Sequence, residues 1–319
     1  MRILLAGASG FVGRGLVPRL LNQQHEVTAA VRKMTAELDS RVTQGLIDGL
    51  STEQDWQPLL VGQEAVIHLA ARVHVMSDDS TDPLAEYRKV NVEGTLKLAR
   101  QAVDAGVKRF IFISSVKVNG EGTTLGAPYS ADTQVAPSDP YGVSKMEAEQ
   151  GLRALAAETG MEVVIIRPVL VYGPGVQANV LSMMRWLHKG VPLPFGAIHN
   201  RRSLVALDNL VDLIVTCIAH PAAANQTFLV SDGEDLSTTM LLRRMGAALG
   251  KPARLLPVPS WMLENGATIL GKQALAQRLC GSLQVDISKT RELLDWTPPV
   301  TVDEALTKTA KHFLDLQTK

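Results

Sequence analysis

The chain lacks the features that mark several protein classes. Its 32 lysines and arginines are matched by 32 aspartates and glutamates, for a formal net charge of +0. A balanced chain carries no electrostatic footprint for nucleic acid or for an anionic membrane surface. Cysteine is scarce: Cys217 and Cys280 are distant in sequence and form no C-x-x-C pattern. That argues against a disulfide framework or a structural zinc site and for reduced thiols. Long apolar runs are missing as well. Residues 163–172 are broken by Arg167 and Pro168, and 204–218 contain Asp208, Asn209 and Asp212. Neither run can span a bilayer. No basic leader precedes the first apolar segment, so the expected location is the cytoplasm.

What is present suits a large folded unit. The 319 residues are 46% hydrophobic and 20% charged, enough for one α/β domain with a smaller lobe. Strand-like runs at 2–6, 25–31, 42–47, 65–69, 109–114 and 161–167 alternate with helix-like stretches at 11–23, 53–60, 83–105 and 140–159. Continuous Val/Ile runs between helices predict a doubly wound parallel sheet covered on both faces. Asp139 and Pro140 read as the cap and first turn of the last of these helices. Pro18, inside the first, predicts a kink or early unwinding. After Arg167 the pattern loosens into Gly- and Pro-rich loops. The expected division is a dinucleotide-binding domain over 1–170 and a substrate lobe over 171–319, with some segments returning to the first part.

Residues 7–13 read GASGFVG, between a strand and a helix. Gly7 permits the tight turn, Gly10 lets backbone approach a pyrophosphate, and Gly13 lets the helix pack closely. The helix N-terminus then offers N–H groups to phosphate. An acidic residue at the end of the second strand would select NAD, but this chain has Arg32 and Lys33. Two cations favour the extra phosphate of NADP(H), with NAD left possible. Residues 141–145 read YGVSK. Tyr141 and Lys145 are four apart and share one helix face. The ammonium would lower the phenol's pKa, so that Tyr141 exchanges a proton while a nicotinamide exchanges a hydride.

These motifs are joined in order by HLAA (68–71), NVEGT (91–95), FISSVKVNG (112–120), RPVLVYGPG (167–175) and LDWTPP (294–299). With them the chain resembles the extended short-chain dehydrogenases/reductases, in particular the nucleotide-sugar epimerases, dehydratases and ketoreductases. The resemblance implies a Rossmann fold with Tyr141, Lys145 and Ser115 as catalytic residues. It implies cofactor contacts from Gly7, Ser9, Gly10, Phe11, Val12, Gly13, Arg32, Lys33, Asp48, Leu69, Ala70, Ala71, Lys145 and Pro168. Substrate contacts would come from Ser115, Lys117, Asn179, Arg201 or its competitor Arg202, and Arg278. Asn91 would bridge helix to strand. No metal is implied, and His68 and His74 read as structural or loop residues.

Departures from the family narrow the reading. Val116 and Lys117 stand where the dehydratases of the family carry an Asp-Glu pair, which argues against dehydration. Gly45-Leu46 replaces the usual Gly-Asp beside the adenine, with Asp48 nearby, and Asn119 replaces a Tyr beside the nicotinamide pocket. The expected activity is an NADP(H)-linked oxidoreductase at C4 of a nucleotide-activated hexose, slightly favouring a reductase of UDP-4-keto-2-acetamido (6-deoxy) sugars of bacterial surface polysaccharides such as O-antigens. An NAD-dependent UDP-sugar 4-epimerase is the alternative. A non-catalytic NADP-binding regulator is the third, disfavoured because Tyr141, Lys145 and Ser115 are all kept. The resemblance further implies a homodimer formed through helices 83–105 and 140–159.

Overall fold

The computed structural model describes residues 1–73 and 82–318. Among these residues ten strands form two sheets. The strands are β1 (Arg2–Ala6), β2 (Glu26–Val31), β3 (Thr43–Leu46), β4 (Ala65–His68), β5 (Arg109–Ile113), β6 (Glu162–Pro168), β7 (Leu170–Tyr172), β8 (Arg202–Ala206), β9 (Thr227–Val230) and β10 (Asp235–Leu236). The main sheet runs β3-β2-β1-β4-β5-β6-β9, and every pairing in it is parallel.

Alternation along each strand explains the two layers of helix. Ile3, Leu5, Ile67, Ile111 and Ile166 face one core, which Leu16 and Leu20 of helix Phe11–Asn22 and Leu210 and Ile214 of helix Leu207–Ala219 complete. Leu4, Ala6, Val66, Phe110, Phe112 and Ile165 face the other, with Leu98 and Ala102 of helix Thr95–Asp104 and Ala148 and Leu152 of helix Pro140–Thr159. Burying each such Leu or Ile contributes roughly 1.5–3 kcal/mol. A third core lies in the second half, where Tyr172, Met184, Leu204, Leu242 and Phe313 pack together. The smaller sheet, β10-β8-β7, belongs to that half, while β9 and helix Leu207–Ala219 join the main sheet and its core.

Two local expectations are modified. Helix Phe11–Asn22 continues through Pro18. The stretch expected as one helix over 83–105 is a short α-helix Pro83–Tyr87, a π-helical turn Arg88–Gly94 and an α-helix Thr95–Asp104. Asn91 sits in the π-turn, where it accepts from Arg72 N at 2.8 Å and donates to Ser144 Oγ at 3.0 Å. A π-turn places such a side chain where regular winding would not. Asn91 thus ties the loop after β4 to helix Pro140–Thr159.

The strand order reverses between β1 and β4, and the turn after β1 lies in that crevice. Gly7 has φ +98°, and a Cβ there would fall 2.8 Å from Ala70 N. Gly7→Ala is expected to lose about 1–2 kcal/mol of unfolding free energy from backbone strain alone. The check is a lower denaturant midpoint at unchanged slope; a midpoint equal to that of the wild type would contradict this account of Gly7.

Candidate active site

The first functional feature is the crevice at the end of β1. Gly10 caps helix Phe11–Asn22 with no side-chain hydrogen bond, so its first-turn N–H groups face outward with the positive end of the helix dipole. A Cβ at Gly13 would collide with the carbonyl oxygens of Gly7 and Ala8. The third glycine therefore lets the helix close onto its own loop. Phe11, Val12, Leu69, Ala70 and Ala71 are partly exposed around this turn, and Ser9 is exposed. The bare helix end and the switch point of the sheet fit a dinucleotide. Arg32 and Lys33 are exposed just past β2. Asp48 is also exposed, and its backbone N–H donates to Gln54 Oε1 at 2.8 Å.

The second feature is a cleft of about 450 Å³ beyond the ends of β5 and β6. It gathers Ser115, Lys117, Tyr141, Pro168, Asn179, Arg202 and Arg278. Ser115 follows β5 and caps a short 3₁₀ turn, accepting from Lys117 N at 3.2 Å. Tyr141 and Lys145 ride on helix Pro140–Thr159, which Asp139 caps by accepting from Gly142 N at 2.6 Å. Lys117 pairs with Asp139 and, at 3.5 Å, with Glu121, another cleft residue. Lys117 thus links the Ser115 turn to the start of that helix. A separate hollow of about 330 Å³ lies near Arg2, His25 and Arg41, at the opposite ends of the strands from this chemistry.

Arg202 and Arg278 form the cationic wall of the cleft. Burial and then the nearby Arg278 lower the pKa of Arg202. Arg202 Nη1 donates to Gly281 O at 3.0 Å, and neither arginine makes a salt bridge among the described residues. Two repelling guanidiniums with no carboxylate between them suit a ligand that brings negative charge, such as a diphosphate. Arg201 is exposed and does not line the cleft; Arg202 begins β8 and, by strand alternation, faces the other way. Asn179 opens onto the cleft from the first turn of helix Ala178–His188.

Electrostatics around Tyr141 differ from the sequence expectation. Burial, followed by Asp139 and Tyr87, pushes the phenol up to about 12. Burial pushes the Lys145 amine down to about 7, against the opposing pull of Glu149. Desolvation outweighs the mutual help expected from their spacing. Lys145 is 1% exposed, and its Nζ lies 3.9 Å from the centre of the Phe112 ring. His68 is wholly buried, held near pKa 3 by burial and then by Lys145, and bonded to Thr95 Oγ1 at 2.9 Å. It is a neutral structural residue; His74 lies outside the described residues. No cluster of metal-binding side chains occurs among the described residues.

Sequence reasoning missed Glu149 and Arg167. Glu149 continues the Tyr141–Lys145 stripe by one more turn and is fully buried. It accepts from Ser114 Oγ at 2.6 Å and from Arg167 Nε at 2.8 Å and Nη2 at 2.5 Å. Arg167 also donates to Asn119 Oδ1 at 3.2 Å, so Asn119 is a buried bonding partner and does not line the cleft. The available signal was a lone arginine in the apolar run VVIIRP, opposite an i, i+4, i+8 stripe.

Comparison with known proteins identifies the family and the fold. The profile "Epimerase: NAD dependent epimerase/dehydratase family" matches residues 3–231. The chain is 52% identical over 314 residues, 98% of its length and 95% of the relative's, to a UDP-glucose 4-epimerase of Vibrio cholerae. Among solved structures it is similar to a UDP-glucose 4-epimerase from Thermotoga maritima with UDP-glucose (TM-score 0.79, 23% identity, 99% of this chain and 100% of that one). It is likewise similar to a UDP-glucuronic acid 4-epimerase from Bacillus cereus in complex with NAD (TM-score 0.79, 22% identity, 99% and 97%). At those identities the two structures speak for the fold.

The buried amine makes stability pH-dependent. Lys145 binds its proton more weakly folded, at about 7, than unfolded, near 10.5. Wild-type stability therefore gains from this group as pH rises from about 7 toward 10.5, where the unfolded chain holds the extra proton. Lys145→Met is expected to exceed the wild type in melting temperature most at pH 6, with the margin shrinking above pH 7. A margin independent of pH between 6 and 9 would contradict the burial of a titrating amine.

Proposed function

The chain belongs to the NAD dependent epimerase/dehydratase family, as an enzyme of the extended short-chain dehydrogenase/reductase type, and from that premise we propose that it is a UDP-sugar 4-epimerase using tightly held NAD. The observation that carries the reading is its likeness, over nearly its whole length, to the Vibrio cholerae enzyme. The opening glycine turn would hold the dinucleotide, and the cleft would hold the sugar diphosphate against Arg202 and Arg278, with Asn179 on its rim. Residues 171–319 would supply most of the sugar-nucleotide side.

A bound nicotinamide supplies the acceptor, and later the donor, of the C4 hydride. Tyr141 Oη, as phenolate, would take the C4 hydroxyl proton in the first half-reaction and give it back to the C4 oxygen in the second. The C4–H and O–H bonds broken in the first half are remade in the second, so there is no net redox change. Lys145, when protonated, would supply the positive charge that favours phenolate, and Ser115 would orient the reacting oxygen. The enzyme would work in the cytoplasm as a homodimer through helices Thr95–Asp104 and Pro140–Thr159, whose Leu96 and Leu155 stay partly exposed. Among the described residues, no helix is long and apolar enough to cross a membrane.

A second reading, an NADP(H)-linked 4-ketoreductase, is favoured by one feature, the exposed Arg32 and Lys33 where NAD enzymes carry an acid. Absorbance and mass spectrometry of purified protein separate the two. Retained NAD, with interconversion of 4-epimeric UDP-hexoses and no added cofactor, is the expected result. Empty protein that oxidises NADPH only when given a 4-keto nucleotide sugar would replace the first reading with the second. Tyr141→Phe is expected to keep the dinucleotide and lose roughly 10²–10⁴-fold in kcat; unchanged turnover would remove Tyr141 from the mechanism.

A further inference from the structure

Helix Pro140–Thr159 presents three titratable side chains along one stripe, Tyr141, Lys145 and Glu149. The third reaches neither crevice nor cleft. Glu149 is 0% exposed and its partner Arg167 is 1% exposed. Each carboxylate oxygen is shared. Oε1 accepts from Ser114 Oγ and Arg167 Nε, and Oε2 from Arg167 Nη2 and, at 3.1 Å, from Arg153 Nη2. Ser114 directly precedes Ser115, and Arg167 directly precedes Pro168, which lines the cleft. One carboxylate therefore joins the end of β5, the end of β6 and the helix that carries Tyr141 and Lys145.

A pin of this kind need not be ionic. Replacing a buried ion pair by apolar groups of similar volume is often neutral or stabilising. Two further facts point beyond mechanical fastening. Glu149 sits one helical turn from Lys145, and it is the one charge that raises the amine's affinity for its proton. The other groups around Lys145 supply no negative charge. His68 on β4 is neutral and β5 offers the Phe112 ring, while the other titratable groups of the stripe and of β6 are the phenol of Tyr141 and the guanidinium of Arg167.

We infer that the Glu149–Arg167 pair is the positioning device of the active site. It fixes Ser115, Tyr141 and Lys145 relative to one another across three elements, and its carboxylate is the negative charge that opposes loss of the Lys145 proton. Arg167 holds the carboxylate aimed through two hydrogen bonds, so the pair acts as a unit. The inference rests on the reading above only for the use made of Lys145; the pairing itself is independent of the substrate.

The test is an NMR titration of the Lys145 side chain in protein labelled with [13C]lysine, its signal assigned by loss in Lys145→Arg. Glu149→Gln keeps an oxygen acceptor and removes the charge. It is expected to lower the Lys145 titration by at least one pH unit and to move the alkaline fall of kcat down with it, with KM for the UDP-sugar within about twofold of the wild type. Glu149→Asp, which keeps the charge, is expected to restore most of the profile. If Glu149→Gln does not fold, Glu149→Leu/Arg167→Met leaves no lone buried charge and is expected to shift the titration in the same direction. An unchanged Lys145 titration in the folded variant, or a kcat loss equal at all pH values, would overturn the inference. A wild-type protein inactive on every UDP-sugar would overturn the proposed function and leave the titration result standing.

Discussion

The structure is organised around a lysine amine with almost no access to water. Lys145 is 1% exposed, and a charge moved from water into a protein interior is costly unless it is paired or bonded. Here it rests on the face of Phe112 and within one helical turn of Glu149. That carboxylate in turn requires Arg167 and Ser114. The helix must therefore turn a polar stripe toward the main sheet, where helix Thr95–Asp104 turns mainly apolar residues. The apolar cores on the two faces of the sheet supply the stability that this stripe does not.

From that constraint the geography of the site follows. The stripe runs toward the C-terminal ends of β5 and β6 and ends at Tyr141 in the cleft. The crevice between β1 and β4 opens at the same ends of the strands, as expected for ligands of open parallel sheets. The second half of the chain closes the cleft with Asn179, Arg202 and Arg278. Positive charge is concentrated where a sugar diphosphate would lie, and buried neutral or paired groups surround the reacting end. Lys117, paired with Asp139 and Glu121, links the Ser115 turn to the start of helix Pro140–Thr159.

The sheet was legible in the sequence because each strand is a compact apolar run whose alternate residues supply two cores. The glycine turn and the Tyr141–Lys145 pair were legible because local backbone geometry and helical spacing fix them. Less was legible where the fold brings distant residues together. The choice between Arg201 and Arg202 depends on which face of β8 meets the cleft, which spacing alone does not state. The π-turn at Arg88–Gly94 accompanies the bonds of Asn91 to Arg72 and Ser144, contacts that separate segments make only after folding. The phenol's raised pKa reflects burial, which the Y-x-x-x-K pattern does not carry. Glu149 went unseen because its partner lies 18 residues away on a strand. The two cations after β2 read as a preference for NADP(H), whereas the relatives' likeness supports a nicotinamide cofactor without supporting that preference.

The central claim is that hydride leaves C4 of a UDP-sugar and returns to the same carbon within one active site. The most direct measurement follows deuterium placed at C4 of UDP-glucose during incubation with the purified enzyme. The account predicts a 4-epimer that keeps its deuterium at C4, with none in the solvent and none in any added dinucleotide. Loss of the label to water, or its appearance in free NADPH or NADH, would contradict it.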